Sequence, residues 1–156
     1  MNNKIGFWRV NEKYGKFSNW YECSFIYDGI KFCSSEQALM YMKAVTFKDE
    51  AVAKEILATT DQKTIKALGR KVHNYNDKTW EAFRYTIMVD ILKAKFSQDE
   101  QCHDLLLSTG DAEIFETSPM DKIWGIGSRS VDNVRGRNLL GKALMEVRKY
   151  LKESEV

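Results

Sequence analysis

Trp80, Phe83, Ile87, Ile91 and Ala94 recur at the spacing of one face of an α-helix. A long helix with an apolar stripe needs a surface to bury it against, so the chain must fold around this element. Asn76 or Asp77 is placed to start it. The last helix, expected to begin near Arg137, carries a matching stripe in which Leu140, Ala143, Leu144, Val147 and Leu151 face inward. The 156 residues fit one domain and can bury a core without disulfides or a structural metal. There is no internal repeat and no low-complexity linker, and the single proline, Pro119, marks no domain boundary.

Shorter elements fill the rest of the chain. Ile5 to Val10 reads as a strand, and residues 14–20 as a loop rich in aromatics. Between Cys23 and Phe32 the pair Asp28-Gly29 accepts the positive φ of a tight turn, which predicts a β-hairpin. Ser34 or Ser35 caps a helix running to about Phe47, with Gln37 placed for a capping box with Ser34. Further helices are expected over about 49–58, 61–69 and 99–108, and a strand over Glu113-Ile114-Phe115-Glu116. The class is α+β: a compact, mainly helical single domain with a small antiparallel sheet.

Several classes of function are excluded. No apolar run approaches the roughly 20 residues of a membrane span, and Met1 to Gly6 lack the apolar stretch of a signal peptide, so a cytoplasmic location is expected. Cys23, Cys33 and Cys102 are odd in number and show no C-x-x-C spacing, which argues against a disulfide framework and a zinc site. They read as reduced thiols in or near the core. His73 and His103 read as surface or satisfied histidines, and no metal centre or cofactor is expected. The net charge of +2 is too balanced for tight non-specific binding of nucleic acid. Basic residues nevertheless crowd one stretch, where Lys122, Arg129, Arg135, Arg137, Lys142, Arg148, Lys149 and Lys152 face only Asp132 and Glu146. Part of this stretch suits a phosphate, whereas Arg148, Lys149 and Lys152 read as a solvated helix face.

Some residues carry chemistry as well as structure. Glu36 falls in the first turn of its helix, where the dipole favours a carboxylate, so a plain helix-end charge is its simplest role. Lys43 lies seven residues on, on the same face, within the apolar stripe of Leu39, Met40 and Phe47. In a dry pocket such an amine loses its proton readily and becomes a nucleophile. The segment from Asp121 to Gly127 sets Trp124 between a carboxylate and two glycines, Gly125 and Gly127, whose backbone can approach a ligand closely. The following loop carries Arg129, Arg135 and Arg137 into a helix N-terminus, an arrangement that binds phosphate, although it matches no P-loop or Rossmann pattern. Phe17-Ser18-Asn19-Trp20 offers an amide beside aromatics, and Gly69-Arg70 a cation at a helix end.

Phe17-Ser18-Asn19-Trp20, Asp28-Gly29, Ser35-Glu36-Gln37 with Lys43, Gly69-Arg70, Trp80, Lys95-Phe96, Asp121 with Trp124-Gly125, and the run from Gly136 to Arg148 together resemble the NADAR/YbiA-like family. The resemblance spans Phe7 to about Leu151. It implies a compact, mainly helical α+β fold and hydrolysis of N-glycosidic bonds. One branch acts on phosphorylated early intermediates of riboflavin synthesis. Another removes ADP-ribose from guanine bases of nucleic acid, and some members are antitoxins to a DNA-modifying ADP-ribosyltransferase toxin. By the resemblance, Glu36, Lys43 and Asp121 are the catalytic candidates. Arg9, Asn19, Trp20, Arg70, Trp80, Trp124, Gly125, Gly127, Arg137 and Asn138 are the substrate-binding ones. The chain departs from the pattern in Ala38-Leu39, where an aromatic often follows Ser-Glu, and in a longer loop between Trp124 and Asn138. The longer, arginine-bearing loop favours the ADP-ribose branch as the expected function. The riboflavin-intermediate N-glycosidase, a non-catalytic ADP-ribose-binding module, and an antitoxin acting by grip are the alternatives.

Overall fold

The structure, a computed structural model, describes residues 3–155, so Met1 and Asn2 of the opening stretch lie outside it. Its centre is α4 (Asp77–Gln98), capped by Asn76, whose side-chain oxygen accepts from Thr79 N–H at 3.0 Å. Helix α1 (Ser35–Thr46) packs on α4, as does α6 (Leu139–Ser154). The inward stripe of α6 is as expected: Leu140, Ala143, Leu144, Val147 and Leu151 are all buried. The stripe of α4 is not. Phe83 is 53% exposed, and the buried band passes through Trp80, Arg84, Met88, Ile91, Leu92, Lys95 and Phe96. A helix wedged between two others buries a band wider than one stripe, and its centre need not follow the most apolar positions.

Helices α2 (Glu50–Leu57) and α3 (Gln62–Arg70) close over α1, and α5 (Glu100–Ser108) over α4 and α6. Ser34 caps α1 by accepting from Gln37 N–H at 3.0 Å. Gln37 does not complete a capping box. Its Oε1 accepts from Cys33 N–H at 2.8 Å, one residue before the cap, and its Nε2 donates to the Ile56 carbonyl in the last turn of α2 and to the Thr59 carbonyl just past it. The Ser34 hydroxyl then donates to Gln62 Oε1 at 2.7 Å, fixing the start of α3 beside the start of α1. Further along, a Cβ on Gly69 would meet the Met40 side chain, so the bare backbone of α3 makes room for that thioether where the two helices lie close.

The strands form two separate pairs. β2 (Phe25–Tyr27) and β3 (Ile30–Phe32) are the expected antiparallel hairpin, with Asp28 and Gly29 both at positive φ (53° and 76°), as a type I′ turn requires. β1 (Lys4–Phe7) and β4 (Glu113–Glu116) pair in parallel, from Lys4 opposite Glu113 to Phe7 opposite Glu116. The expectation of a single antiparallel sheet is corrected here. A parallel pair needs a long crossover, which α1 to α5 supply.

Asn138 ties this pair to α6. It sits in the left-handed region (φ 53°, ψ 42°) as the residue before the helix, which therefore starts at Leu139, two residues after Arg137. Its Nδ2 donates to Ile114 O at 2.9 Å and its Oδ1 accepts from Glu116 N–H at 3.0 Å, replacing a neighbouring strand on the β4 edge. Its own N–H donates to Gly125 O at 3.0 Å. Arg148 is a second correction to the α6 reading. It is buried and donates to Thr109 Oγ1 and Ala112 O at 2.8 Å, joining α6 to the end of α5. Replacing Asn138 by Ala removes two buried hydrogen bonds and leaves their partners unsatisfied. The expected loss is roughly 2–4 kcal/mol in urea unfolding; a loss below about 0.5 kcal/mol would show that the β4 edge finds other partners.

Candidate active site

Helices α1 and α3 run side by side in the same direction, Ser34 near Gln62 and Met40 near Gly69. This sets Glu36 of α1 in the field of Lys66 of α3, and Lys43 in the field of Arg70. The seven residues between Glu36 and Lys43 span about 10 Å along one helix face. The cleft thus has an acidic end and a lysine end, with a cation of α3 beside each.

Glu36 is only 8% exposed. Its N–H donates to Asn19 O at 2.9 Å, and Ser35 Oγ donates to Asn19 Oδ1 at 2.7 Å, so the loop before the hairpin is clamped onto the first turn of α1. The Trp20 indole and the Lys66 charge both favour the ionised form of the Glu36 carboxyl. Burial outweighs them and pushes the Glu36 pKa up to about 7. Glu116, at the end of β4, was read only as a strand residue, yet it enters the same cluster. Burial, together with the charges of Asp121 and Glu36, raises its pKa to about 8. A Cβ on Gly125 would lie 2.7 Å from Glu116 Oε2, so the bare backbone at Gly125 makes room for this carboxyl. Asp121 is the third acid. Its Oδ1 accepts from the N–H groups of Ile123 and Trp124, both at 2.9 Å, which folds the loop, and its charge acts on both glutamates.

Lys43 is half-buried, with Nζ 4.6 Å from the centre of the Tyr75 ring. Burial is the main cause of its lowered pKa, Arg70 adds to it, and Glu36 and Asp77 oppose it. The aromatic face also favours the cation, but the net direction is toward an amine that loses its proton more easily. Tyr75 is held edge-on to Phe47 at 5.2 Å, and Phe47 lies 6.5 Å from Trp80. Trp80 itself is 5% exposed and belongs to the core. Its expected place among ligand-binding residues is corrected to that of a buttress behind the Phe47–Tyr75 wall.

Other expectations divide in the same way. Asn19, Trp20, Arg70, Asp121 and Gly125 gather around Glu36 and Lys43. Trp124 packs half-buried against the core on the Asp121 loop, where Gly127 closes the turn. Asn138 has its amide engaged in the fold. The N-terminus of α6 is not open to a phosphate: Arg137, Leu139 and Leu140 N–H groups donate to the carbonyls of Lys122, Ile123 and Trp124. Arg135 and Arg137 are exposed beside that loop. Arg9 and Arg129 stack on Trp8, at 4.5 and 4.7 Å from its ring centre, at the end of β1. Lys66, Tyr75 and Glu116 were missed. Lys66 alone carried a readable signal, since it precedes Arg70 by four residues on one face of α3. His73 is satisfied by Asp49 at 2.8 Å, as expected. A surface groove of about 420 Å³ lies across α1 from this cleft, between Tyr41, Val45 and Leu57.

The two raised carboxyls make stability depend on pH with a definite sign. From about pH 4.5, the ordinary value for Glu, up to about 8, the unfolded chain has released protons that the folded chain still holds. Stability therefore falls as pH rises through this window and levels off above it. Glu116→Gln cannot ionise and is expected to flatten the decline in thermal midpoint between about pH 5 and pH 8. An unchanged slope in that variant would mean that Glu116 is ionised in the folded protein.

Residues 6–152 match the NADAR domain family. The chain is 39% identical over 144 residues to an N-glycosidase of Acanthamoeba polyphaga mimivirus, covering 85% of each chain. It is 33% identical over 153 residues to a riboflavin biosynthesis protein of Vibrio vulnificus, covering 98% of this chain and 40% of that one. Among solved structures, it resembles the NMR structure of the E. coli protein YbiA with a TM-score of 0.85 at 31% identity, over 99% of this chain and 89% of that one. The buried Glu36, the Lys43 two turns further along α1 and the fold that joins them thus occur in a chain that belongs to the NADAR domain family.

Proposed function

We propose that this N-glycosidase releases ADP-ribose from the guanine bases of nucleic acid. The observation that carries the reading is the pairing of Glu36 with Lys43 along one face of α1, with α3 alongside. A carboxyl that holds its proton near neutrality and a lysine that gives one up readily share one helix face, with cations beside both. Lys66 and Arg70, one beside each end of the pair, supply two positive charges, which suits a diphosphate. The acids and the lysine supply the chemistry without a cofactor.

A ribose C1 joined to an exocyclic amino nitrogen can open to an imine. Glu36 gives its proton to the ring oxygen, and the C1–O bond breaks as the C1=N bond forms. Neutral Lys43 adds to C1 and expels the base as its free amine, leaving a lysine imine. Water adds to that imine, held by Asp121, and Lys43 departs as the sugar closes. The balance is one water consumed and one C1–N bond cleaved. Glu116, with its proton, keeps the acidic end from carrying three full charges. Trp20 and Trp124 wall the site. Because the substrate is the product of an ADP-ribosyltransferase, the reaction reverses that modification and would make the protein an antitoxin wherever the transferase is a toxin.

A second reading has its own support. The likeness to the Vibrio vulnificus riboflavin biosynthesis protein favours phosphorylated early riboflavin intermediates, whose sugar is joined to nitrogen in the same way.

The test is release of ADP-ribose from guanine-ADP-ribosylated single-stranded DNA. Wild type is expected to release it, with Lys43→Ala and Glu36→Gln each slower by at least about 10²-fold. Release from riboflavin intermediates alone would establish the second reading, and binding of ADP-ribose without release of either product would mark a binding module. The rate of the active protein should be bell-shaped in pH. The fraction with Glu36 protonated shrinks toward high pH and the fraction with Lys43 neutral shrinks toward low pH. An alkaline limb still present in Glu36→Gln would assign the acid to another group.

A further inference from the structure

Away from the cleft, the strand-ward end of the 18–24 segment meets the start of α5. Cys23, Asp99 and Cys102 each place a sulfur or a carboxylate oxygen within 4.8 Å of the other two. Both cysteines are free thiols. Cys102 is fully buried in the first turn of α5, where its N–H donates to Asp99 Oδ1 at 2.9 Å. Cys23 is partly exposed, and its backbone is pinned by a hydrogen bond from its N–H to Cys33 O at 3.0 Å. The third wall is Lys95, wholly buried, with Nζ donating to Lys16 O at 2.8 Å and Ser18 O at 3.1 Å. The remaining cysteine is turned away, its sulfur in contact with Ser34 and Gln62 at the α1–α3 junction.

We propose that Cys23 and Cys102 are a hydroperoxide-reactive thiol pair that closes an intrachain disulfide, Cys23 being the attacking thiol and Cys102 the resolving one. The two positions differ as those roles require. Cys23 is reachable from solvent and its thiol is held below the usual range, chiefly by the neighbouring Cys102 thiol and also by Lys95. Cys102 stands behind it, out of solvent, its pKa driven upward by the Cys23 thiol and by burial. The Cys23 thiolate attacks one peroxide oxygen and the O–O bond breaks. The departing oxygen leaves as water or an alcohol with the proton that Cys23 gave up, and Cys23 becomes a sulfenic acid. The Cys102 sulfur then attacks the Cys23 sulfur, the S–O bond breaks and the hydroxyl leaves as water with the Cys102 proton. The two thiols lose two electrons, and the peroxide gains them. A soft cation suits the same sulfurs less well, because the Lys95 ammonium stands beside them and Asp99 is already engaged by Cys102 N–H. The cross-link would fasten to α5 the segment that carries Asn19 and Trp20 to Glu36.

The experiment treats the folded full chain with hydrogen peroxide, blocks remaining thiols with iodoacetamide, and maps peptides without reduction. The expected result is a monomer lighter by two hydrogens, with Cys23 joined to Cys102 and Cys33 alkylated. Cys102→Ala should instead give a sulfenic acid at Cys23 that dimedone traps. Cys23→Ser, a change at a partly exposed position that leaves the core intact, should give neither product. A link through Cys33, a link between two chains, or both thiols remaining alkylatable would overturn the proposal, as would equal oxidation of Cys102 in Cys23→Ser.

Discussion

The hydrogen-bond network at the start of α1 fixes every distance in the cleft. Ser34 caps α1 and reaches Gln62 at the head of α3, while Gln37 reaches back to Cys33 and forward to the end of α2. These groups are buried, and among the described residues no fully buried side-chain polar atom lacks a partner. A buried network of this kind is stable only when complete, so it admits one arrangement of the three helices. Glu36 sits inside it with its N–H on Asn19, and Lys43 follows two turns later. The positions of the acid and the amine are consequences of a single junction.

Electrostatics then separates their roles. Burial, with the Asp121 charge nearby, keeps protons on Glu36 and Glu116 at values where a free glutamate would have lost them, and the Glu36 charge adds to the effect on Glu116. Lys43 is moved in the opposite direction by partial burial and by Arg70. Groups of opposite type pushed toward each other's range are what proton transfer near neutrality needs. The cost falls on the fold, which keeps two carboxyls dry. Asn138 helps to bear it by satisfying the β4 edge that carries Glu116 and by anchoring the loop that carries Asp121 and Gly125.

Local patterns were legible in the sequence and remote pairings were not. The Asp28-Gly29 turn, the Ser34 cap and the inward stripe of α6 each depend on residues within a few positions, and each was read correctly. Phe83 was misplaced because which side of α4 faces solvent is decided by α1 and α6. Arg148 was read as solvated because its partners, Thr109 and Ala112, lie on another element. The α6 N-terminus looked open to phosphate because nothing local shows that Lys122, Ile123 and Trp124 carbonyls fold back onto it. Glu36 and Lys43 were visible as a pair because they share one helix. Glu116 was not, since it joins them only through the parallel pairing of β1 with β4 and the turn at Gly125.

The cleft places its weight on a lysine that reacts as an amine. The most direct test is reduction with borohydride during turnover of ADP-ribosylated guanine in single-stranded DNA, followed by mass mapping of the protein. A sugar adduct on Lys43, absent from Glu36→Gln and from unreacted protein, is the predicted result. Active protein that accumulates free ADP-ribose with no adduct on Lys43 would contradict it, and would leave Lys43 as a positioning charge for water attacking the sugar directly.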